Sequence, residues 1–170
     1  VKLFKTGIDG KEQIVRFAKR GDIVGYRSVL SDELACTSAK VIKDAEVSYV
    51  PESVLKNLVM NNSRFSMALM RMACQELGDA NSYILNIAQK TVRERLAEIL
   101  ILLDKEFGRD DDGTMSIKLT REELANLIGT ATESVIRLLS EFKSDKYISL
   151  SGRNIRLIEE KKLQRVANMP

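Results

Sequence analysis

Histidine does not occur in this chain of 170 residues. Its absence removes the most common general base, the usual zinc ligand and the usual switch near neutral pH. Cysteine occurs twice, at Cys36 and Cys74. That falls short of the ligand set of an iron–sulfur cluster, and it suits a reduced, cytoplasmic setting. No apolar run is long enough to span a bilayer, and no signal-peptide pattern opens the chain. The chain begins at Val1 rather than methionine, which points to a fragment. No nucleophile–base pair and no metal-ligating cluster stands out, so an enzyme is the least favoured class.

What is present suits a folded protein. The chain is 44% hydrophobic and 30% charged, enough for a real core in one or two small domains. A net charge of +3 is mildly basic and compatible with nucleic acid, without arguing for it alone.

The first fifty residues read as β. "VKLFKTG" and "EQIVRFAK" flank a turn at Gly7-Ile8-Asp9-Gly10, and "SAKVIKDAEVSYVP" suggests two more short strands around Lys43-Asp44. Short strands at this spacing suggest a small roll or barrel. The tripeptide Arg20-Gly21-Asp22 is read as a turn rather than an adhesion motif.

After Pro51 the pattern becomes helical. "ESVLKNLVM" is short, and a long proline-free run follows from Ser63. Within it Met70, Ala73, Leu77, Ala80, Ile84 and Ile87 alternate in spacings of three and four, the seam of a coiled coil. A homodimer along this seam is the preferred reading; a single amphipathic core helix is the alternative. A second stripe, Phe65, Leu69, Met72 and Tyr83, is expected to face the β unit, and Cys36 is expected to be a small buried filler. "KTVRERLAEILILLDKEFG" is another helix, with Thr91 and Glu94 spaced as a capping box and Gly108 as its stop. "RDDDGT" lacks the spacing of a calcium loop and reads as a turn. "MSIKL" alternates as a strand.

The stretch "TREELANLIGTATESVIRLLSEF" fits a helix-turn-helix starting at Arg121. Leu124, Ile128, Val135 and Leu138 take the positions that lock the two helices, and small Ala125 falls where they cross. Gly129 sits in the turn, where a positive φ is needed. Thr120 is placed to cap the first helix and Thr130 to help cap the second. If Val135, Leu138, Leu139 and Phe142 face inward, then Thr132, Glu133, Ile136 and Arg137 face outward. Such a helix end can enter the major groove, where Arg suits guanine O6/N7 and Glu suits cytosine N4. An ordinary Glu133–Arg137 surface pair is the plainer alternative. "YISLSGRNIRLI" then reads as a strand, a turn at Gly152 and a second strand, and a short basic helix ends the chain.

With "GDIVGY", the long seam helix, "VRERLAEILILL", "DGTMSIKLTREELANLIGTATESVIRLL" and "ISLSGRNIRLI" in this order, the chain resembles the Crp/Fnr family of bacterial transcription regulators almost end to end. The resemblance implies an α+β architecture: the C-terminal part of an effector-binding β-roll over 1–62 (a jelly roll of the cupin kind), a dimerisation helix over 63–89, and a winged helix-turn-helix DNA-binding domain over 90–170. It also implies that more of the roll precedes Val1.

Matched residue by residue, Glu133 and Arg137 fall at the family's base-reading positions, with Thr132 and Ile136 beside them. Arg93, Lys118, Thr120, Arg121, Ser134 and Ser151 or Arg153 fall where the family contacts phosphates. The effector pocket departs from the cyclic-nucleotide pattern. Gly25-Tyr26 stands for Gly-Glu, Thr37-Ser38 for Arg-Ser, and Ala80-Asn81 for the hydroxyl pair on the dimer helix. Arg27 is the one candidate replacement cation. A buried cyclic phosphate would lack its compensating charge, so cyclic AMP is not expected; an unidentified small-molecule effector and no resident cofactor are. The expected partners are a second copy of the chain, palindromic double-stranded DNA and RNA polymerase, with no membrane. A signalling module whose winged helix contacts protein is the alternative, since the fold serves both uses.

Overall fold

The computed structural model describes residues 1–169. Packing divides the chain into two compact units, Val1–Tyr83 and Ile84–Pro170.

In the first unit β1 (Lys2–Thr6) and β2 (Glu12–Phe17) form an antiparallel hairpin. Its turn is closed by Gly7 N donating to the Lys11 carbonyl (2.8 Å) and Gly10 N to that of Gly7 (3.0 Å). The other edge of β1 takes β3 (Ser38–Lys40), giving the order β2-β1-β3. Two expectations need correction. Tyr26–Ser31, in the stretch read as β, is a helix, α1; Gly25 opens it at φ 79°, a backbone glycine adopts cheaply. Of the two strands expected in 38–51 only β3 forms. Val47 and Tyr49 alternate with polar residues but have no hydrogen-bonded strand beside them among the described residues, and they stay exposed. Alternation marks a candidate strand, but a neighbouring strand makes it one.

The helices α2 (Glu52–Asn61) and α3 (Ser63–Gln89) follow. Leu69 of α3 is buried with Leu55 and Tyr26, and Phe65 and Met72 pack against them. This is the second stripe expected from the sequence, but it packs against α1 and α2 rather than against the strands, and Tyr83 stays 37% exposed. Cys36, expected as a buried filler, is exposed, as is Cys74. A side chain in an irregular segment next to a surface depression has no core to fill.

The second unit is built on α4 (Val92–Phe107). Thr91 caps it in a reciprocal box with Glu94, and Gly108 ends it. Leu96, Ala97, Leu100, Ile101 and Leu103 face inward. Around α4 lie α5 (Arg121–Ile128), α6 (Thr132–Ser144), the hairpin β4 (Ile148–Ser151) and β5 (Asn154–Leu157), and α7 (Glu160–Val166). "MSIKL" is not a full strand. Only Met115 pairs, by a bridge to Arg109 and by donating to the Ile155 carbonyl (2.8 Å). Its inward-outward alternation survives, with Met115, Ile117 and Leu119 buried. The Asp110–Thr114 turn is closed through Asp110 N to the Thr114 carbonyl and reinforced by Asp112 accepting from Thr114.

Candidate nucleic-acid interface

The two-helix unit is held as its sequence requires. Thr120 caps α5 in a reciprocal box with Glu123, the side chain of each accepting from the other's backbone N–H. Leu124, Ala125, Ile128, Val135 and Leu138 are all at most 4% exposed. Burying each of the larger ones contributes about 1.5–3 kcal/mol. Gly129 ends α5 at φ 66°, ψ 56°. Arg95 of α4 fixes the turn from below: its Nε donates to the Ile128 carbonyl (2.9 Å) and its Nη1 to that of Lys90 (2.6 Å). One expected detail fails. Ala131, not Thr130, is the first cap residue of α6, and no side chain caps it. Thr130 N instead donates to Ala125 O and continues the turn after α5 (3.1 Å). Ser134 N donates to the Ala131 carbonyl (3.1 Å), and the amides of Thr132 and Glu133 before it remain for an external acceptor.

On α6, Val135, Leu138, Leu139 and Phe142 form the buried face. Glu133 is exposed, Ile136 is 50% and the Arg137 side chain 66% exposed, and Thr132 and Ser134 are half-buried. Arg137 Nη1 donates to Glu141 Oε1 (2.6 Å), not to Glu133. Glu141 Oε2 accepts from Arg93 Nη1 (2.7 Å), and Arg93 Nη2 reaches Asp145 (3.2 Å). Arg93 also lies over the Phe142 ring at 4.7 Å. Glu141 and Asp145 are thus part of this surface and were missed in the sequence, although Glu141 stands four residues after Arg137, a spacing that pairs side chains on a helix.

The remaining cationic and hydroxyl groups lie in the segment before α5, on α5 and on the hairpin. Lys118 is half exposed and near Asp110 (3.5 Å). Arg121 Nη2 donates to the Gly152 carbonyl at the hairpin tip (2.9 Å), while its Nη1 is buried without an acceptor. Burial pushes this guanidinium below its ordinary pKa. An orphaned donor of this kind favours a nearby anionic acceptor. Ser151 and Arg153 flank Gly152 (φ 58°) and are exposed.

The residues picked out for an effector lie in the first unit. Tyr26 is buried, and its hydroxyl donates to Glu76 Oε2 (3.0 Å). Glu76 Oε1 lies 3.0 Å from Arg16 Nη1. The Tyr26 pKa is raised, by burial first and then by Glu76. A shallow depression of about 340 Å³ is lined by Tyr26, Arg27, Leu30, Leu34, Cys36 and Ala73 among others. Gly25 precedes it, Thr37 is half-buried, Ser38 lies in β3, and Ala80 and Asn81 are exposed on α3. Of the seam residues, Met70, Leu77 and Ile84 are 59%, 63% and 64% exposed, Ile87 is 39%, and Ala73 is also exposed.

Comparison with known proteins agrees with this layout. Residues 94–166 match the Crp-like helix-turn-helix domain, and residues 1–62 match the cyclic nucleotide-binding domain. The chain is 26% identical over 171 residues to the fumarate and nitrate reduction regulatory protein of Vibrio cholerae, covering 99% of this chain and 68% of that one. It is 25% identical over 169 residues to the CRP-like cAMP-activated global transcriptional regulator of Mycobacterium tuberculosis, covering 98% and 75%. Among solved structures, a CRP/FNR-family transcriptional regulator from Thermus thermophilus shares the fold at a TM-score of 0.82 with 22% identity, over 98% of this chain and 82% of that one. The c-di-GMP responsive regulator CLP of Xanthomonas campestris does so at 0.81 with 19% identity, over 92% and 79%. A cyclic nucleotide-binding match, a long helix and a capped helix-turn-helix with its wing follow one another on one polypeptide, and the chain belongs to the Crp/Fnr family of transcription regulators.

Proposed function

We propose that this protein is a cytoplasmic homodimer that reads a palindromic DNA site through α6 and responds to an effector other than cyclic AMP. As a Crp/Fnr-type regulator with a helix-turn-helix DNA-binding domain, it is not an enzyme. The observation that carries the proposal is the outward face of α6. Glu133, Ile136 and Arg137 project from a helix whose other face is fully buried, and the amides at its start carry no side-chain cap. Thr132 and Ser134 flank them. Glu133 and Arg137 read a G·C pair, Ile136 offers an apolar contact to a thymine methyl, and Thr132 adapts to either. Lys118, Arg121, Ser151 and Arg153, with Thr120, Ser134 and Arg93, contact phosphates and set the register without reading sequence.

Dimerisation runs along Met70, Ala73, Leu77, Ala80, Ile84 and Ile87. These side chains form an apolar stripe on α3 that the single chain leaves open. The division of labour follows the helix: the roll over 1–62 holds the effector, 63–89 the dimer seam, and 90–170 the DNA-binding unit. RNA polymerase is the further partner such a regulator meets on DNA. Against cyclic AMP stands the chemistry around Tyr26. A buried, neutral phenol tied to Glu76 fills the place beside Gly25. Thr37 and Ser38 bring no charge; of the two cations near Tyr26, Arg16 is paired with Glu76, which leaves exposed Arg27 for a phosphate.

The test is selection of duplexes from a random library by the complete protein. The expected product is an inverted repeat with half-sites about one helical turn, roughly ten base pairs, between centres. Recovery of no common sequence, with binding that tracks salt alone, refutes sequence-specific reading and favours the winged helix as a protein-contact module.

A further inference from the structure

We infer that Glu141 is a positioning residue for base recognition: it holds the Arg137 guanidinium with one edge presented outward. The inference rests on the reading of Arg137 as a base-contacting side chain. An isolated, exposed i,i+4 ion pair orders little, because both side chains are long and water screens them. Here the carboxylate is itself fixed. Its Oε2 accepts from Arg93 Nη1 at 2.7 Å, while Arg93 is held by Asp145 at 3.2 Å and rests on the Phe142 ring at 4.7 Å. Phe142 is fully buried. The order of support therefore runs from the core through Phe142 and Arg93 to Glu141, and from its second oxygen to Arg137 at 2.6 Å.

The atom used matters. Arg137 donates to Glu141 through Nη1. That leaves Nε and Nη2, two parallel donors on one edge of the plane, with no bond among the described residues. Such an edge matches guanine O6 and N7 bidentately. Holding the guanidinium by its third corner removes rotamer freedom before binding, so less is lost when the base contact forms. Glu133, one turn toward the helix start, stays outside this network and keeps its carboxylate for a base donor.

A carboxylate beside DNA also repels phosphate, and this makes the proposal separable from simple charge removal. With the site selected above, the complete protein and its Glu141→Gln and Glu141→Ala variants would be titrated against the selected duplex, the duplex with the Arg137-read pair substituted, and an unrelated duplex. Positioning predicts that discrimination at that pair falls about three- to tenfold in both variants, while affinity for unrelated DNA holds or rises. In an Arg137→Ala background the Glu141 substitutions should then change discrimination no further, which a general effect on folding would not reproduce. Unchanged discrimination in the single variants overturns the proposal while leaving the DNA-binding reading intact. A gain in specific affinity with discrimination preserved also overturns it, since Glu141 would then be a competitor for Arg137. If Arg137→Ala itself leaves discrimination untouched, both this inference and the base-reading role of Arg137 fail.

Discussion

Arg137 has a carboxylate one turn away on each side, Glu133 before it and Glu141 after it, and it pairs with Glu141. The choice follows from support: Glu141 is anchored by Arg93, whereas Glu133 sits at the free start of α6. A surface pair between Glu133 and Arg137 would have been the plain use of both residues. Instead the recognition face keeps an acceptor and a donor edge apart.

The dimer is the first consequence open to test. Leu77→Asp or Ile84→Asp places a charge in the proposed seam, where its partner copy would have to bury it unpaired. Sedimentation at micromolar concentration should show monomers for both variants. A persisting dimer places the interface elsewhere.

Effector choice is equally direct. Isothermal calorimetry on the complete protein should show no binding of cyclic AMP at micromolar concentration, because the Tyr26, Thr37 and Ala80 positions supply no cation to a cyclic phosphate. A saturable isotherm in the low micromolar range would mean that Arg27 or a group outside this chain takes that part.

The turn between α5 and α6 should be sensitive to a single methyl group. Gly129 has φ 66°, where an L-residue costs about 1–2 kcal/mol. Gly129→Ala should lower the thermal midpoint accordingly. Thr120→Ala, which removes the α5 capping box, should cost about 0.5–2 kcal/mol. Melting curves unchanged in both variants would mean that this turn is not held as described.

Acid should loosen the start of α4. The Thr91 hydroxyl and backbone N–H donate to the Glu94 carboxylate, and they, with Lys90 and Asn168, lower its pKa from the ordinary 4.5. A carboxyl with a depressed folded pKa stabilises the fold above its unfolded value and loses that contribution as pH falls through the folded one. The stability of the parent should therefore drop more than that of Glu94→Gln on acidification below about pH 4.5. Parallel pH profiles for the two would contradict this.

Legibility differed along the chain for physical reasons. The helix-turn-helix was readable because its determinants are local: a capping pair three residues apart, a glycine at a positive φ, and apolar residues at helical spacing. The wing was readable from Gly152 between two alternating runs. The first fifty residues were less so. Val47 and Tyr49 alternate as a strand does, but strand formation depends on a neighbour remote in sequence. Tyr26–Ser31 is too short to show a helical period. Glu141 was visible as a neighbour of Arg137, yet its second contact, to Arg93 forty-eight residues earlier, is tertiary, and no spacing announces it.

The central claim, that the outward face of α6 reads base pairs while the hairpin and α5 hold the backbone, is tested most directly by comparing Arg137→Ala with Arg153→Ala. Each would be titrated against the selected site and its single-base variants at two salt concentrations. Arg137→Ala should cost about 1–3 kcal/mol per half-site and erase preference at one base pair, with the salt dependence nearly unchanged. Arg153→Ala should weaken binding to every sequence alike and lower the salt slope by about one. A preference that survives Arg137→Ala, or that is lost in Arg153→Ala instead, would contradict the account.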